Sequence, residues 1–394
     1  MALDVTAVQR ALGPEGLDGW LLYDFHGSNP IAAKLAGLTD GGHMTTRRWY
    51  YLIPATGEPR AVVHAIERHN LDALPGEKIV YAGRRQLDAA LTQLLRGVRR
   101  IAMEYSPDCA IPYLSRVDAG TVEAIRQRGV EIVSSGDLAQ QFEATWTAAQ
   151  LASHRTASEA LYRIKDRAFA LVAEALGNGS RLTEYAVQQR MVKWFAEESL
   201  VSDSPPVVAI GANSGNPHYL PTAERSRPIV ADQVLLLDLW GKRPEPGAVF
   251  ADITWVAVTS RTVPPEPMRT FRAVADARDT AVAFVEDAAR AGRDVRGWEV
   301  DRAARAVLER AGYADHILHR TGHSLGESVH GNGVHLDDYE THDDRRVLPG
   351  AGFTIEPGLY FDGFGVRTEI NVFREARAAV VTGPRQMEII TLGD

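Results

Sequence analysis

Four carboxylates stand in this chain where an apolar core would ordinarily exclude them. Asp238 follows four consecutive apolar residues in VLLLDLW, and Asp252 sits in FADITWVAV. Glu356 sits in FTIEPGLY and Glu369 in VRTEINVF. Each segment reads as a buried central strand, rich in aliphatic and β-branched residues. An ionised carboxylate there costs several kcal/mol of desolvation unless it is paired or binds a cation. Any one of them has an ordinary reading, as an acid at a strand end reaching solvent. Four together point to a common cause.

Charge narrows that cause. Four carboxylates carry four negative charges, which two divalent cations would neutralise. Cys109 is the sole cysteine, so thiolate clusters are excluded and any metal is held by nitrogen and oxygen. Hard oxygen donors with one or two imidazoles suit manganese, cobalt or zinc better than copper, and the shortage of nitrogen leans toward manganese.

The length of 394 residues suggests two or three domains at roughly 150 residues each. Residues 1–146 alternate short β runs (GWLLYD, WYYLIP, RRIAME) with helical patterns (QLDAALTQLLRG, TVEAIRQRG), an α/β unit without a catalytic motif. Residues 147–394 read as helix, helix, strands, and then helix, helix, strands again. That weak repeat of architecture predicts two similar halves sharing a sheet, with a site where they meet. The formal charge of −8 and the lack of any Lys/Arg run speak against nucleic acid as a partner. No apolar stretch approaches a membrane span, and the N-terminus lacks a basic segment leading into an apolar one, so a cytoplasmic protein is expected.

Six of the twelve histidines crowd into residues 316–342, HILHRTGHSLGESVHGNGVHLDDYETH. GHSLG matches the nucleophile elbow of serine hydrolases, with Ser324 at its centre. That fold orders serine, acid, histidine along the chain, and only eighteen residues separate Ser324 from His342, too few to bring in the acid-bearing strand. His319 and His323 have the spacing of a helical metal pair, but Arg320 stands where such a motif needs glutamate, and Gly322 and Gly326 break the helix. His319 reads better as a hydrogen-bond partner behind the site or a packed core residue.

The third reading joins this stretch to the four acids. His323 and His330 in G-H-S-L-G-x-x-V-H, Glu356 in T-I-E-P-G-L-Y and Glu369 in G-V-R-T-E resemble the signature of the pita-bread metallopeptidases, which include methionine aminopeptidase, aminopeptidase P, prolidase and the metal-free creatinase. The resemblance covers roughly residues 147–394. Residues 1–146 are similar in architecture to the N-terminal domain of the prolidase, aminopeptidase P and creatinase branch. It implies an α/β N-terminal domain and an α+β pita-bread catalytic domain with a pseudo-twofold internal repeat.

Residue by residue, the resemblance implies a dinuclear metal site. Asp238 would bind one ion, Asp252 and Glu369 would bridge two, and His323 and Glu356 would complete the shell of the other. His218, in GNPHYLP, and His330 match the two histidines that contact substrate and steady the tetrahedral intermediate, although both could be solvent-facing loop residues. Glu356 would shuttle a proton. Arg367, two residues before Glu369, would share its strand face and orient the bridging carboxylate. His316, His335 and His342 match no ligand position. Val249 stands where the family has a tyrosine, three residues before Asp252. Trp255 replaces an arginine, and the connection GKRPEPGAVF between the two aspartates is longer than usual.

The implied activity is hydrolysis of the bond before proline in Xaa-Pro dipeptides by two divalent ions, manganese first and cobalt or zinc as alternatives. The expected assembly is a homodimer. Two rivals stay open: aminopeptidase P activity on longer Xaa-Pro peptides, and a non-catalytic protein that uses the fold to bind peptide.

Overall fold

The computed structural model describes residues 3–39 and 42–393. The chain divides into two compact units, Met1–Ala144 and Thr145–Asp394.

The first unit is built on a six-stranded sheet in the order β4-β3-β2-β1-β5-β6. Its strands are β1 (Gly19–Asp24), β2 (Trp49–Pro54), β3 (Arg60–His64), β4 (Glu77–Tyr81), β5 (Arg100–Met103) and β6 (Glu131–Ser134). The β1–β2 and β2–β3 pairs are antiparallel, whereas β3–β4, β1–β5 and β5–β6 are parallel. Both faces are covered, which is why β1 and β2 are buried at every position. Trp20 and Leu22 pack toward helices α1 (Val5–Leu12) and α2 (Pro30–Leu35). Leu21 and Tyr23 pack on the other face toward α3 (Arg84–Leu94) and α4 (Ala119–Arg126), and a single turn, α5 (Gly136–Ala139), follows β6.

The second unit opens with α6 (Ala148–Asn178), started by a Thr147–Gln150 capping box and stopped by Gly179 at φ +71°. Next come α7 (Glu184–Glu197), β7 (Val207–Ile210), β8 (Val234–Gly241) and β9 (Ala251–Val258). The order then repeats with α8 (Pro265–Ala291), α9 (Gly297–Arg310), β10 (Gly352–Ile355), β11 (Gly358–Tyr360), β12 (Gly365–Arg367), β13 (Ile370–Arg374) and β14 (Ala379–Val381). A short β15 (Ile390–Thr391) closes the chain.

The antiparallel β8–β9 hairpin sorts its side chains by the two-residue period. Leu235, Leu237, Leu239 and Ile253 face α6 and α7. Val234, Leu236, Val256 and Val258 face the cluster built around α8 and α9. Asp238, Asp252 and Thr254 share this second face by register, Asp238 lying opposite Thr254.

The two halves do not share one hydrogen-bonded sheet as expected. β15-β9-β8-β7 form one sheet and β10-β13-β14 another, with β11-β12 a separate pair. The split between β10–β13 and β11–β12 has its cause at Pro357, which has no N–H to donate to a ladder. β10 pairs with β13 up to Ile355–Ile370, and β11 pairs with β12 from Gly358–Arg367 onward. Between them the ladder breaks at Glu356–Pro357 on one side and Thr368–Glu369 on the other. Glu356 and Glu369 are therefore at a strand break rather than inside central strands. Their amides bond elsewhere: Glu356 N–H to the Thr321 carbonyl at 2.7 Å and Glu369 N–H to the Thr254 carbonyl at 3.1 Å.

Candidate metal centre

That break turns both glutamates toward the β8–β9 face. Asp252, His323 and Glu369 each bring a ligand atom within 4.8 Å of the others, and all three residues are buried. His323 Nε2 is 3.7 Å from Asp252 Oδ2 and 3.4 Å from Glu356 Oε1. His323 is held by β10. Its amide donates to Thr354 Oγ1 at 2.9 Å, its carbonyl accepts from Thr354 N–H at 2.8 Å, and Thr354 Oγ1 lies 3.2 Å from Glu356 Oε1. The His323 Nδ1–H donates to the Ser324 carbonyl at 3.2 Å, which leaves Nε2 as the lone pair aimed at the acids.

Arg367 anchors the other side. It donates to Asp238 Oδ2 at 2.5 Å, to Thr254 Oγ1 at 3.0 Å and to the Tyr360 hydroxyl at 2.7 Å. Its guanidinium is 3.9 Å from Glu356 Oε2. Arg367 thus holds Asp238, and its link to Glu369 runs through Thr254, whose hydroxyl donates to Glu369 Oε2 at 2.8 Å.

The electrostatics are those of a site lacking positive charge. Burial first, and repulsion from Glu369, Asp238 and Glu356 second, push the Asp252 carboxyl well above the carboxylate range. Glu369 is raised well above it by burial and then by Glu356 and Asp238. Burial also raises Asp238, against the pull of Arg367. For Glu356 burial acts upward too, but His323, His319 and Arg367 outweigh it and lower the group. Burial drives His323 down to about 3, so its ring is neutral and able to ligate at neutral pH.

Asp252 Oδ1 and Glu369 Oε1 are both buried and have no hydrogen-bond partner among the described residues. Orphaned carboxylate oxygens on two buried acids that cluster with a neutral imidazole fit a divalent cation and are costly without one.

His330 stands edge-on to His323 with ring centroids 4.5 Å apart. It is held below the usual imidazole range by loss of water and by the charge of Arg320; Asp203 and His218 also act on it electrostatically. His218 itself is exposed. The remaining histidines of the crowded stretch point elsewhere. His316 Nδ1 meets the Tyr360 carbonyl at 3.1 Å, His335 Nδ1 accepts from Ser324 N–H at 3.1 Å, and His342 Nδ1 meets Asp338 Oδ1 at 2.6 Å. The Ser324 hydroxyl is buried and accepts from Gly333 N–H at 3.0 Å, so it is no exposed nucleophile.

Three contributors escaped the sequence reading. Thr254 and Asn371 lie two residues beyond Asp252 and Glu369, and Asn371 brackets Asp252, accepting from its amide and donating to its carbonyl. Tyr360 donates to His319 Nε2 at 2.6 Å, because His319 Nδ1–H is given to the Arg320 carbonyl at 2.7 Å. The only advance signal for Tyr360 was its place in T-I-E-P-G-L-Y. The two departures near Asp252 also find places. Val249 is buried among Trp146, Phe250 and Leu325. Trp255 is on the β9 face away from the acids, where Lys165 Nζ lies 3.7 Å over its ring.

Comparison with known proteins bears on the family and the fold. The profile of metallopeptidase family M24 matches residues 152–374. An Xaa-Pro dipeptidase of Lactobacillus delbrueckii subsp. lactis is 32% identical over 219 residues, 52% of this chain and 51% of the relative. The chain spans about half the length of the curated relatives it matches. In fold it is similar to dipeptidase PepE from Mycobacterium ulcerans, with a TM-score of 0.70 at 22% identity over 99% of this chain and 97% of that one. It is also similar to a prolidase from Thermococcus sibiricus, with a TM-score of 0.61 at 21% identity over 98% of each chain.

Proposed function

The chain belongs to metallopeptidase family M24, and from that premise we propose that it is an Xaa-Pro dipeptidase using two divalent cations. Asp238, Asp252, His323, Glu356 and Glu369 would hold the ions, with manganese as the preferred metal and cobalt or zinc as alternatives. The observation that carries this reading is the pair of orphaned oxygens, Asp252 Oδ1 and Glu369 Oε1, on two buried acids that cluster with His323. When bound, such ions supply Lewis acidity that makes water nucleophilic near neutral pH and polarises a carbonyl.

The chain's own residues do the rest. Glu356, lowered and thus ionised at neutral pH, accepts the proton of the attacking water and returns it to the leaving amine. His330 and His218 present imidazole N–H groups to the substrate and to the oxygen that gains charge. Arg367 positions Asp238 and Thr254. The preference for proline rests on similarity to Xaa-Pro dipeptidases. A homodimer in the cytoplasm is part of the same proposal.

The test is a peptide panel on chelator-stripped protein with manganese, cobalt or zinc restored. Ala-Pro should be cleaved, with Ala-Ala and Ala-Pro-Ala left largely intact. Cleavage of Ala-Pro-Ala at a comparable rate would favour the aminopeptidase P reading. Failure on every peptide with every metal would favour a non-catalytic binding protein.

A further inference from the structure

The first unit, which supplies none of the residues above, contains a cavity of about 790 Å³. That is the size range of small-molecule sites. It opens beyond the carboxyl ends of β1, β3 and β4, since Phe25, His64 and Tyr81 to Arg84 line it. In open α/β sheets this is where ligands collect, because loops and helix starts converge there.

Its floor is aromatic. Tyr23 and Tyr50 are both buried, with ring centroids 4.9 Å apart, and the buried Tyr81 forms a further wall. Phe25 stands at the edge with 45% of its surface exposed. The rim is cationic: Arg47, Arg48 and Arg84 all line the cavity. Arg47 is engaged locally, its guanidinium donating to the Thr46 carbonyl and Oγ1 and its amide to Glu67 Oε2, whereas the guanidinium groups of Arg48 and Arg84 form no ion pair with a carboxylate among the described residues. Asp118 is the one acid in the lining, and it is already spent, accepting from the Tyr23 hydroxyl at 2.9 Å and from Thr121 N–H and Oγ1–H at 2.8 Å each. Arg84 also opens α3 behind Gly83, where Gln86 Oε1 accepts from the Ala82 and Gly83 amides while Gly83 itself has no side chain to cap the first amides of the helix.

Scattered surface arginines are normally solvated or paired with acids. Here two guanidinium groups without a carboxylate partner among the described residues, Arg48 and Arg84, line one concavity beside Arg47 in a chain whose formal charge is −8. Guanidinium forks match phosphate oxygens, and tyrosine rings favour a flat ring. We propose that this cavity binds an anionic ligand of the mononucleotide class, its phosphate at Arg48 and Arg84 and its ring on the tyrosine floor.

The test uses the full chain in calorimetric titrations at low and at physiological salt, with AMP, inorganic phosphate and adenosine as probes. AMP should bind saturably and more tightly than either phosphate or adenosine, and its affinity should fall at higher salt. In the Arg48→Met/Arg84→Met protein the dissociation constant for AMP should rise at least about tenfold, while metal content and peptide hydrolysis stay as in the wild type. Both arginines are exposed, so the substitutions leave the core intact. Absence of saturable AMP binding by the wild type would overturn the proposal. So would AMP binding no tighter than phosphate, or undiminished AMP binding by the double variant.

Discussion

Thr254 gives its hydroxyl hydrogen to Glu369 Oε2 at 2.8 Å while accepting from Arg367 Nε at 3.0 Å. One oxygen of Glu369 is thereby engaged, and the other, Oε1, is left orphaned. A neutral residue thus decides which carboxylate atom is available to a cation, and it sits on β9 directly across from Asp238.

Replacing Thr254 with valine keeps the shape and removes that selection. Partners that orient metal ligands commonly contribute about 10–100-fold in affinity. Thr254→Val should weaken binding of the divalent ions by about that factor, as read by competition with a chelator of known affinity. An unchanged dissociation constant would mean that Glu369 does not need Thr254.

Tyr360 bridges Arg367 and His319 through one hydroxyl. Tyr360→Phe leaves a guanidinium N–H and an imidazole lone pair unpaired in a buried place, which costs about 1–3 kcal/mol. The melting temperature should fall. At saturating metal, kcat for Ala-Pro should drop roughly tenfold, since Arg367 loses a constraint on its position. Full turnover in the variant would show that the Asp238 and Thr254 bonds alone hold Arg367.

His154 links acid to stability. It is fully buried between the Phe250 carbonyl and Thr382, and burial lowers it from 6.5 to about 4. The unfolded chain therefore binds the extra proton first as pH falls. The contribution of His154 is complete above about pH 6.5 and is lost as pH falls toward 4, by about 3 kcal/mol across that window. Urea unfolding from pH 7.5 to 4.5 should show a shallower loss of stability in His154→Gln than in the wild type. Parallel slopes would exclude this histidine as a source of acid sensitivity.

Gly322 allows the His323 segment to lie against β10. A Cβ there would sit 2.1 Å from the Thr354 carbonyl oxygen. Gly322→Ala should cost about 1–3 kcal/mol and weaken metal binding, because the same contact fixes His323. Gly363, where a Cβ meets nothing within 4 Å, is the control and should tolerate alanine within about 0.5 kcal/mol. Equal effects at the two positions, read by chemical denaturation, would remove the steric explanation.

How much of this was legible beforehand follows from what a sequence displays. Ionisable groups in apolar runs are conspicuous, so Asp238, Asp252, Glu356 and Glu369 stood out, and the motif around His323 supplied the imidazole. The strand break at Pro357 was hidden because FTIEPGLY and VRTEINVF look continuous until the missing N–H is set against its partner strand. Thr254 and Asn371 are uncharged and unremarkable on a strand. Their importance comes from pairing with segments more than a hundred residues away. Arg367 was noticed for its spacing to Glu369, but its bond to Asp238 spans 129 residues and no periodicity announces it. In the first unit the cavity depends on loops converging from separate strand ends, which local patterns do not encode.

The central claim is that the buried acids and His323 exist to hold divalent cations. The direct measurement is metal content per chain, by elemental analysis of stripped protein reloaded with manganese and then desalted, for the wild type and for Asp252→Asn and Glu369→Gln. The account predicts close to two ions in the wild type, a clear loss in each variant, and retention of a folded, cooperative melt. Fewer than one ion per wild-type chain with manganese, cobalt or zinc, or undiminished binding in both variants, would contradict it.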